Sequence, residues 1–172
     1  WKVMNHLSSS HFNAQKQCGN LCLAHKVNEF LDGYKKGLVN LEKLGVWFDF
    51  DGTSSREVAV TAKKIESLGY GTLWIPEAPL GKNPMVLASW LLANTQDLII
   101  ATGIANIYHR EPSVTLAAQN SLAEQSDNRF LLGIGVSHKP IVEGLRGLTY
   151  GPPVATMKKY LEQMETATLQ MQ

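Results

Sequence analysis

The chain has 172 residues, enough for one domain with a sizeable core. Sixteen Lys and Arg residues nearly balance fifteen Asp and Glu residues, and the formal net charge of +1 favours no polyanionic partner. The apolar runs are far shorter than the roughly 18 residues of a membrane helix, and no secretion signal is recognisable. These features predict a cytoplasmic globular protein that binds neither nucleic acid nor a membrane.

Residues 1–43 carry no regular hydrophobic period, and we interpret them as an N-terminal extension. The first residue is Trp1, so we expect a processed or partial chain. Two cysteines and two histidines raise the question of a metal site, but their spacing lacks the paired C-x-x-C knuckles of zinc sites. We therefore predict reduced thiols and no metal at Cys18, Cys22, His11 and His25.

The first predicted strand-helix unit begins at Leu44. Its strand, LGVWFDF, is apolar and β-prone and ends before Asp51. Ser54 and Glu57 have the spacing of a capping box, which predicts that the first helix starts there. Gly69 is placed to end this helix as a left-handed cap.

Three further strand-helix units follow in the same order. Their strands are predicted at 71–75, 98–107 and 130–138, and their helices start at Asn83, Glu111 and Pro152. Each of the last two stretches begins as an apolar run and breaks at a glycine, where its side chains turn polar. A glycine-rich loop is predicted between the last strand and the last helix. The strands start about 30 residues apart, the length of a βα unit. The pattern predicts an α/β fold with a parallel sheet, and by itself favours an open doubly wound sheet over part of a barrel.

Candidate functional residues follow the strands, because ligands of parallel α/β folds lie at the carboxyl ends of the strands. Trp47 and Asp49, at the end of the first strand, are candidates for contacting a substrate. Glu77 is placed to accept a proton, with a solvated loop carboxylate as the alternative. His138 suits proton transfer near neutral pH, with a structural histidine as the alternative. Gly103 marks either a simple bulge or a close approach of backbone and ligand.

Several common motifs are absent. Gly133 and Gly135 resemble the start of the dinucleotide fingerprint, but His138 occupies the place of its third glycine and no helix opens directly after it. This rejects a Rossmann site. The sequence also lacks a P-loop, an H-E-x-x-H motif and a G-x-S-x-G motif, so phosphoryl transfer, metalloproteolysis and serine hydrolysis have no support.

Four ordered segments carry a family resemblance: GVW, LGYGTLWIPEA, ATGIANIYHREP and RFLLGIGVSHKPIVEGLRG, one at each predicted strand. Together they resemble the luciferase-like monooxygenase superfamily, and in particular its coenzyme F420-dependent oxidoreductases. The resemblance implies a TIM-type (β/α)8 barrel, of which this sequence holds only about the first four βα units. Residues 44–172 would then be the amino-terminal half of the barrel domain.

The resemblance further implies a site for the ring of a flavin or deazaflavin. A non-proline cis peptide between Gly103 and Ile104 is implied to form a bulge behind the ring, and His138 is implied to face it. Cofactor-binding roles are implied for Gly103, Ile104, Ala105, Asn106 and Ser137.

The family chemistry implied by the resemblance is hydride transfer between an organic substrate and C5 of the deazaflavin. Relatives often carry an Asp-His pair after the second strand, where this chain has Glu77-Ala78, so Glu77 and His138 are the candidates for handling the accompanying proton. Coenzyme F420 is the predicted cofactor. The alternative is FMN, in a luciferase-like monooxygenase.

The length of the sequence bears on its partners. Without the later strands of the barrel, two sheet edges would lack partners, which predicts a homodimer or pairing with a second half-barrel chain. A non-catalytic, truncated half barrel that self-associates is the competing hypothesis.

Overall fold

The structure, a computed structural model, describes residues 43–170. They lie within one compact unit, Leu41–Gln172. The predicted extension and the predicted lack of a metal at Cys18, Cys22, His11 and His25 fall outside the described residues and stay predictions. In the described part, no helix combines the length and the apolar character needed to cross a membrane.

Strands and helices alternate as predicted. The strands are β1 (Gly45–Trp47), β2 (Thr72–Ile75), β3 (Ile99–Thr102), β4 (Ala105–Asn106), β5 (Phe130–Leu131) and β6 (Ile134–Gly135). The α-helices are α1 (Ser55–Ser67), α2 (Pro84–Ala93), α3 (Pro112–Glu124) and α4 (Pro153–Gln170). A 3₁₀ turn covers Ile107–His109, and a π-helical turn covers Pro140–Leu145.

Local sequence explains where the helices begin and end. The Ser54 hydroxyl accepts the N–H of Glu57 at 3.3 Å, and the Glu57 carboxylate accepts the N–H of Ser54 at 2.8 Å, which confirms the capping box. Asn83 caps α2 by accepting the N–H of Met85 at 3.0 Å. Gly69, with a φ of +86°, follows the last turn of α1 as predicted.

The strands form two parallel sheets. The larger has the order β1-β2-β3-β5, and the smaller pairs β4 with β6. Each strand of the larger sheet lies beside the strand of the next βα unit, without the reversal of order that defines a doubly wound sheet. The prediction of a doubly wound sheet, which the sequence pattern favoured, is therefore wrong. The observed order is that of consecutive strands in a (β/α)8 barrel.

The helices pack against one face of the larger sheet. Alternate strand residues, such as Leu73, Ile75 and Ile100, are buried with helix residues in one hydrophobic core. Because successive side chains of a strand point to opposite faces, the intervening residues face away from this core. In one row across the sheet these are Trp47, Trp74, Ala101 and Leu131.

The stretches 98–107 and 130–138 each contain two strands separated by a break at a glycine. The first stretch breaks at Gly103–Ile104, which is a cis peptide as the resemblance implied, and β4 then leaves the larger sheet. The second breaks at Gly133, whose N–H and C=O both bond the hydroxyl of Thr102 at 2.8 Å. The predicted break at a glycine in both stretches is confirmed, whereas the change of strand partner at each break was not predicted.

The first strand and the last loop also differ from the prediction. β1 ends at Trp47, and Phe50, which the prediction placed in the strand, accepts the N–H of Thr53 at 3.1 Å and is buried in the core. The segment predicted as a loop contains the π-helical turn. The carbonyl of His138 accepts two N–H groups of that turn at 3.0 Å, and the turn buries Val142.

Candidate active site

The centre of the candidate site is the break between β3 and β4. The N–H of Gly103 donates to the carbonyl of Ile75 at 2.7 Å, and the carbonyl of Gly103 accepts the indole N–H of Trp47 at 3.1 Å. A Cβ at Gly103 would lie 3.4 Å from Trp74 and 3.6 Å from Trp47. Two indoles therefore border a backbone position that has no side chain of its own.

The smaller sheet brings together residues that follow the third and fourth predicted strands. Ala105 and Asn106 of β4 pair with β6. A Cβ at Gly135 would lie only 2.8 Å from the Ile104 side chain, so glycine allows this close approach. Ile104, Ala105 and Asn106 thus lie beside β6, the strand that leads to Ser137.

Glu77 is buried and surrounded by donors. Its side chain is 6% exposed, and Oε2 accepts the backbone N–H of Asn106 at 2.7 Å and a nitrogen of Arg110 at 2.9 Å. Oε1 accepts the second Arg110 nitrogen at 2.5 Å and Nδ1 of His109 at 2.9 Å. Burial by itself raises the pKa of Glu77, but hydrogen bonds from Arg110, Asn106 and His109 and the Arg110 charge outweigh it and lower the pKa. The carboxylate is therefore ionised, with donors on both oxygens.

Asn106 and His109 extend this network. The Asn106 side-chain oxygen accepts the N–H of Tyr108 at 3.0 Å, and its amide nitrogen lies 3.0 Å from Nε2 of His109. Since Nδ1 of His109 faces the Glu77 carboxylate, Nε2 accepts from Asn106 in the neutral tautomer. Both ring nitrogens are then satisfied, and the 3₁₀ turn is held against the end of β2.

The network continues to the outer helices through Tyr160. Its hydroxyl donates to the carbonyl of Arg110 at 3.1 Å and lies 2.5 Å from the hydroxyl of Thr115. Burial raises the pKa of Tyr160, so the phenol keeps its proton and acts as a donor. Helices α3 and α4 therefore help to hold the chain that follows the bulge.

The remaining predicted site residues occupy separate positions. Ser137 has a φ of +57°, and its carbonyl accepts the hydroxyl of Tyr150 at 3.3 Å. His138 is exposed. Asp49 lies on the surface, where its carboxylate accepts the N–H of Asp51 at 2.9 Å in a local turn. The candidate substrate residue Asp49 thus stabilises the loop after β1.

The structure adds three residues that sequence reasoning missed, namely Trp74, His109 and Arg110. The last two stand directly before α3 in the segment HREP, where a run of polar side chains after a buried strand was the available signal. Trp74 is in register with Trp47 on the neighbouring strand. Alignment of the two predicted strands would have placed both indoles on one face.

An open cavity of about 700 Å³ lies between the loops after β1 and β2 and the π-helical turn. Asp51, Lys82, Leu80 and Leu145 are among its lining residues. Arg146 donates to the carbonyl of Pro79 across the same region. None of the predicted site residues is among the residues that line this cavity.

Comparison with known proteins identifies the family. The family model described as luciferase-like monooxygenase matches residues 42–170. A Mycobacterium tuberculosis protein named as a coenzyme F420-dependent oxidoreductase is 28% identical over 130 residues, which are 76% of this chain and 35% of that protein. The 5,10-methylenetetrahydromethanopterin reductase of Archaeoglobus fulgidus is 28% identical over 106 residues, 62% of this chain and 32% of the reductase. The chain spans about a third of the length of these relatives.

Solved structures share the fold. The coenzyme F420-dependent tetrahydromethanopterin reductase of Methanopyrus kandleri has a TM-score of 0.57 and 23% identity, over 63% of this chain and 30% of that one. The oxygenating constituent of 3,6-diketocamphane monooxygenase of Pseudomonas putida, in complex with FMN, has a TM-score of 0.63 and 19% identity, over 72% of this chain and 39% of that one. These neighbours are TIM-barrel enzymes, and the described residues form a partial barrel domain. Since the family model also covers most of its length, this chain belongs to the luciferase-like monooxygenase family.

Proposed function

We propose that this chain supplies the ring-binding part of an oxidoreductase site in which a hydride moves between a small organic substrate and coenzyme F420. The observation that carries the proposal is the bulge at Gly103, which lies at the carboxyl end of β3 beside Trp47 and Trp74. The relative named as a coenzyme F420-dependent oxidoreductase supports the choice of cofactor. The whole reaction needs more of the barrel than the described residues contain.

The described residues fit the flat ring of a flavin or deazaflavin. Such a ring needs a flat and mostly apolar surface, and Trp47, which lies beside the bulge, is 57% exposed. Gly103 has no side chain that would hold a ring away from the backbone. Ile104, Ala105 and Asn106 follow the bulge and would line the pocket. When bound, the deazaflavin supplies the carbon that accepts or releases the hydride.

The two candidates for proton handling take different roles in this proposal. Glu77 is ionised and has donors on both oxygens, so we assign it to holding β4 in place. His138 is exposed shortly after β6, and an imidazole nitrogen can donate or accept a proton. We therefore assign to His138 the proton that accompanies hydride transfer.

Titration of the purified full chain with coenzyme F420 tests the proposal. We expect saturable quenching of the deazaflavin fluorescence. Gly103→Val should weaken binding by roughly tenfold or more, equivalent to about 1.4 kcal/mol, because a branched side chain would occupy the ring surface beside Trp74. Gly144→Ala is the matched control, since a Cβ there meets nothing within 4 Å. Melting curves without cofactor verify that both variants fold, and a folded wild type that shows no saturable binding refutes the proposal.

FMN is the second candidate cofactor, because the Pseudomonas putida structure that shares the fold contains FMN. The same titration with FMN distinguishes the two. Saturable FMN binding together with oxygen consumption would favour a monooxygenase. If neither cofactor binds and sedimentation shows a stable dimer, the non-catalytic half barrel is the better description.

A further inference from the structure

Two tyrosines close the segment 138–151, which connects the end of the smaller sheet to α4. The rings of Tyr108 and Tyr150 stack with their centroids 5.8 Å apart and an interplanar angle of 26°. The Tyr150 hydroxyl donates to the carbonyl of Ser137 at 3.3 Å, and the Tyr108 hydroxyl accepts the N–H of Gly151 at 3.0 Å. We call Tyr108 and Tyr150 the tyrosine clasp.

Ser137 has a backbone conformation that serine rarely adopts. Its φ of +57° lies in the left-handed region, where the Cβ crowds the following carbonyl. A residue keeps such a conformation only where its surroundings hold it. The carbonyl of His138 is held on one side by two N–H groups of the π-helical turn, and the carbonyl of Ser137 is held on the other side by Tyr150.

The clasp also reaches the residues that follow the bulge. The N–H of Tyr108 donates to the side chain of Asn106 at 3.0 Å, in the network of Glu77. Through one ring stack, the clasp therefore ties the turn at Ser137 to the end of β4. The two strand ends that carry the predicted cofactor residues are connected by it.

We infer that Tyr150, supported by Tyr108, is a positioning residue. It holds Ser137 in its left-handed conformation, so that the turn at Ser137 and His138 keeps the orientation that the candidate site requires. The role of this turn in cofactor binding rests on the proposed function, whereas the contacts of the tyrosine clasp are independent of that function. Tyr150 acts on the backbone of Ser137 and not on a ligand.

Two substitutions separate the hydroxyl of Tyr150 from its ring. Tyr150→Phe removes the bond to Ser137 and keeps the stack on Tyr108, whereas Tyr150→Leu removes both. Tyr70→Phe is the matched control, because it removes a tyrosine hydroxyl just before β2, at the amino-terminal end of the strands. Melting temperatures of the full chain establish that all three variants are folded.

The φ of Ser137 is the direct readout and needs no cofactor. NMR scalar couplings on the full chain should show a positive φ in wild type and in Tyr70→Phe. In Tyr150→Phe, loss of one hydrogen bond should change the ratio of the two conformations by roughly fivefold, and Tyr150→Leu should change it further. A φ that stays positive to the wild-type extent in Tyr150→Leu overturns the inference.

The affinity for coenzyme F420 is the second readout. Tyr150→Leu should raise Kd by roughly threefold or more, because the apparent affinity falls with the populated fraction of the competent conformation. Glycine adopts a positive φ freely, so in the Ser137→Gly background Tyr150→Leu should change Kd only slightly. If Tyr150 had only a structural role, the effects of the two substitutions on Kd would be additive. An undiminished effect of Tyr150→Leu in the Ser137→Gly background contradicts a positioning role. If wild type binds no cofactor while the φ of Ser137 responds as expected, the proposed function fails and the clasp stands.

Discussion

At the scale of single residues, the charge of Glu77 is stabilised by its protein neighbours in place of water. An ionised carboxylate is costly to bury unless it is paired and hydrogen-bonded, and Arg110 supplies both the opposite charge and two donors. The side chains of Arg110 and His109 are themselves only 10% and 9% exposed. Removal of Glu77 would therefore leave a nearly buried cation without its partner.

Glu77→Gln should lower the free energy of unfolding by about 3 kcal/mol near neutral pH, because it removes the counter-charge of Arg110. The folded-state pKa of Glu77 lies below its ordinary value of 4.5. Its stabilisation is thus complete above that value and is lost as the pH falls through the folded-state pKa. Denaturant unfolding at a series of pH values should show the difference between wild type and variant shrinking on the acid side of 4.5.

Glu165→Gln serves as the control for this measurement, because Glu165 is an exposed carboxylate of α4. Its stability should match that of wild type at each pH. A difference between wild type and Glu77→Gln that stays constant across the acid range would argue against an ion pair at Glu77.

At the scale of elements, the contact between Thr102 of β3 and Gly133, which separates β5 from β6, marks where the smaller sheet begins. The Thr102 hydroxyl donates to the carbonyl of Gly133 and accepts its N–H, and both bonds use backbone groups that a continuous strand would offer to its neighbour. β4 and β6 then pair with each other, apart from the larger sheet. Of the predicted cofactor residues, Ala105 and Asn106 therefore lie on a separate small sheet beyond the carboxyl end of β3, and Ser137 follows its second strand.

Gly133→Ala should destabilise this junction by about 2–3 kcal/mol, because a Cβ there would lie 2.2 Å from the carbonyl oxygen of Thr102. Gly135→Ala should cost less, since its Cβ would meet the flexible side chain of Ile104. Gly144→Ala should leave stability unchanged or raise it by up to about 1 kcal/mol. Chemical denaturation of the three variants measures this order, and equal stability of Gly133→Ala and Gly144→Ala would rule out the close approach.

At the scale of the whole molecule, the larger sheet has two edges among the described residues. β1 pairs only with β2, and β5 pairs only with β3. Edge strands present N–H and C=O groups that can pair with another strand. A large apolar side chain is exposed beside the first edge, where Leu44 is 80% exposed. We therefore propose that a second copy of this chain, or a separate half-barrel chain, pairs with these edges.

Sedimentation of the purified chain should show a mass above that of the monomer that increases with concentration. Leu44→Lys should weaken the association by roughly tenfold, because a charge at a sheet edge opposes pairing. Val86→Lys is the control, since Val86 is 70% exposed on α2, which connects β2 and β3, and neither of these is an edge strand. A monomer at every concentration would remove the support for pairing at these edges.

The sequence by itself determined the elements and the location of the bulge. A helix start depends on the few residues around it, so Ser54, Asn83 and the proline of α3 could be recognised without the fold. The cis peptide at Gly103–Ile104 followed from a family resemblance carried by several ordered segments. Helix-start signals depend on local sequence, and the cis peptide was implied by the family resemblance. Neither prediction requires knowledge of contacts between distant residues.

Only the tertiary structure decided which strands are neighbours, which partner each strand takes after its break and what surrounds Glu77. Strands buried on both faces have the same apolar pattern in a doubly wound sheet and in a barrel, so the pattern did not distinguish them. Arg110 reaches Glu77 across 33 positions, and Thr102 reaches Gly133 across 31. Such contacts depend on how distant segments pack together. The local sequence around each residue therefore does not identify its partner.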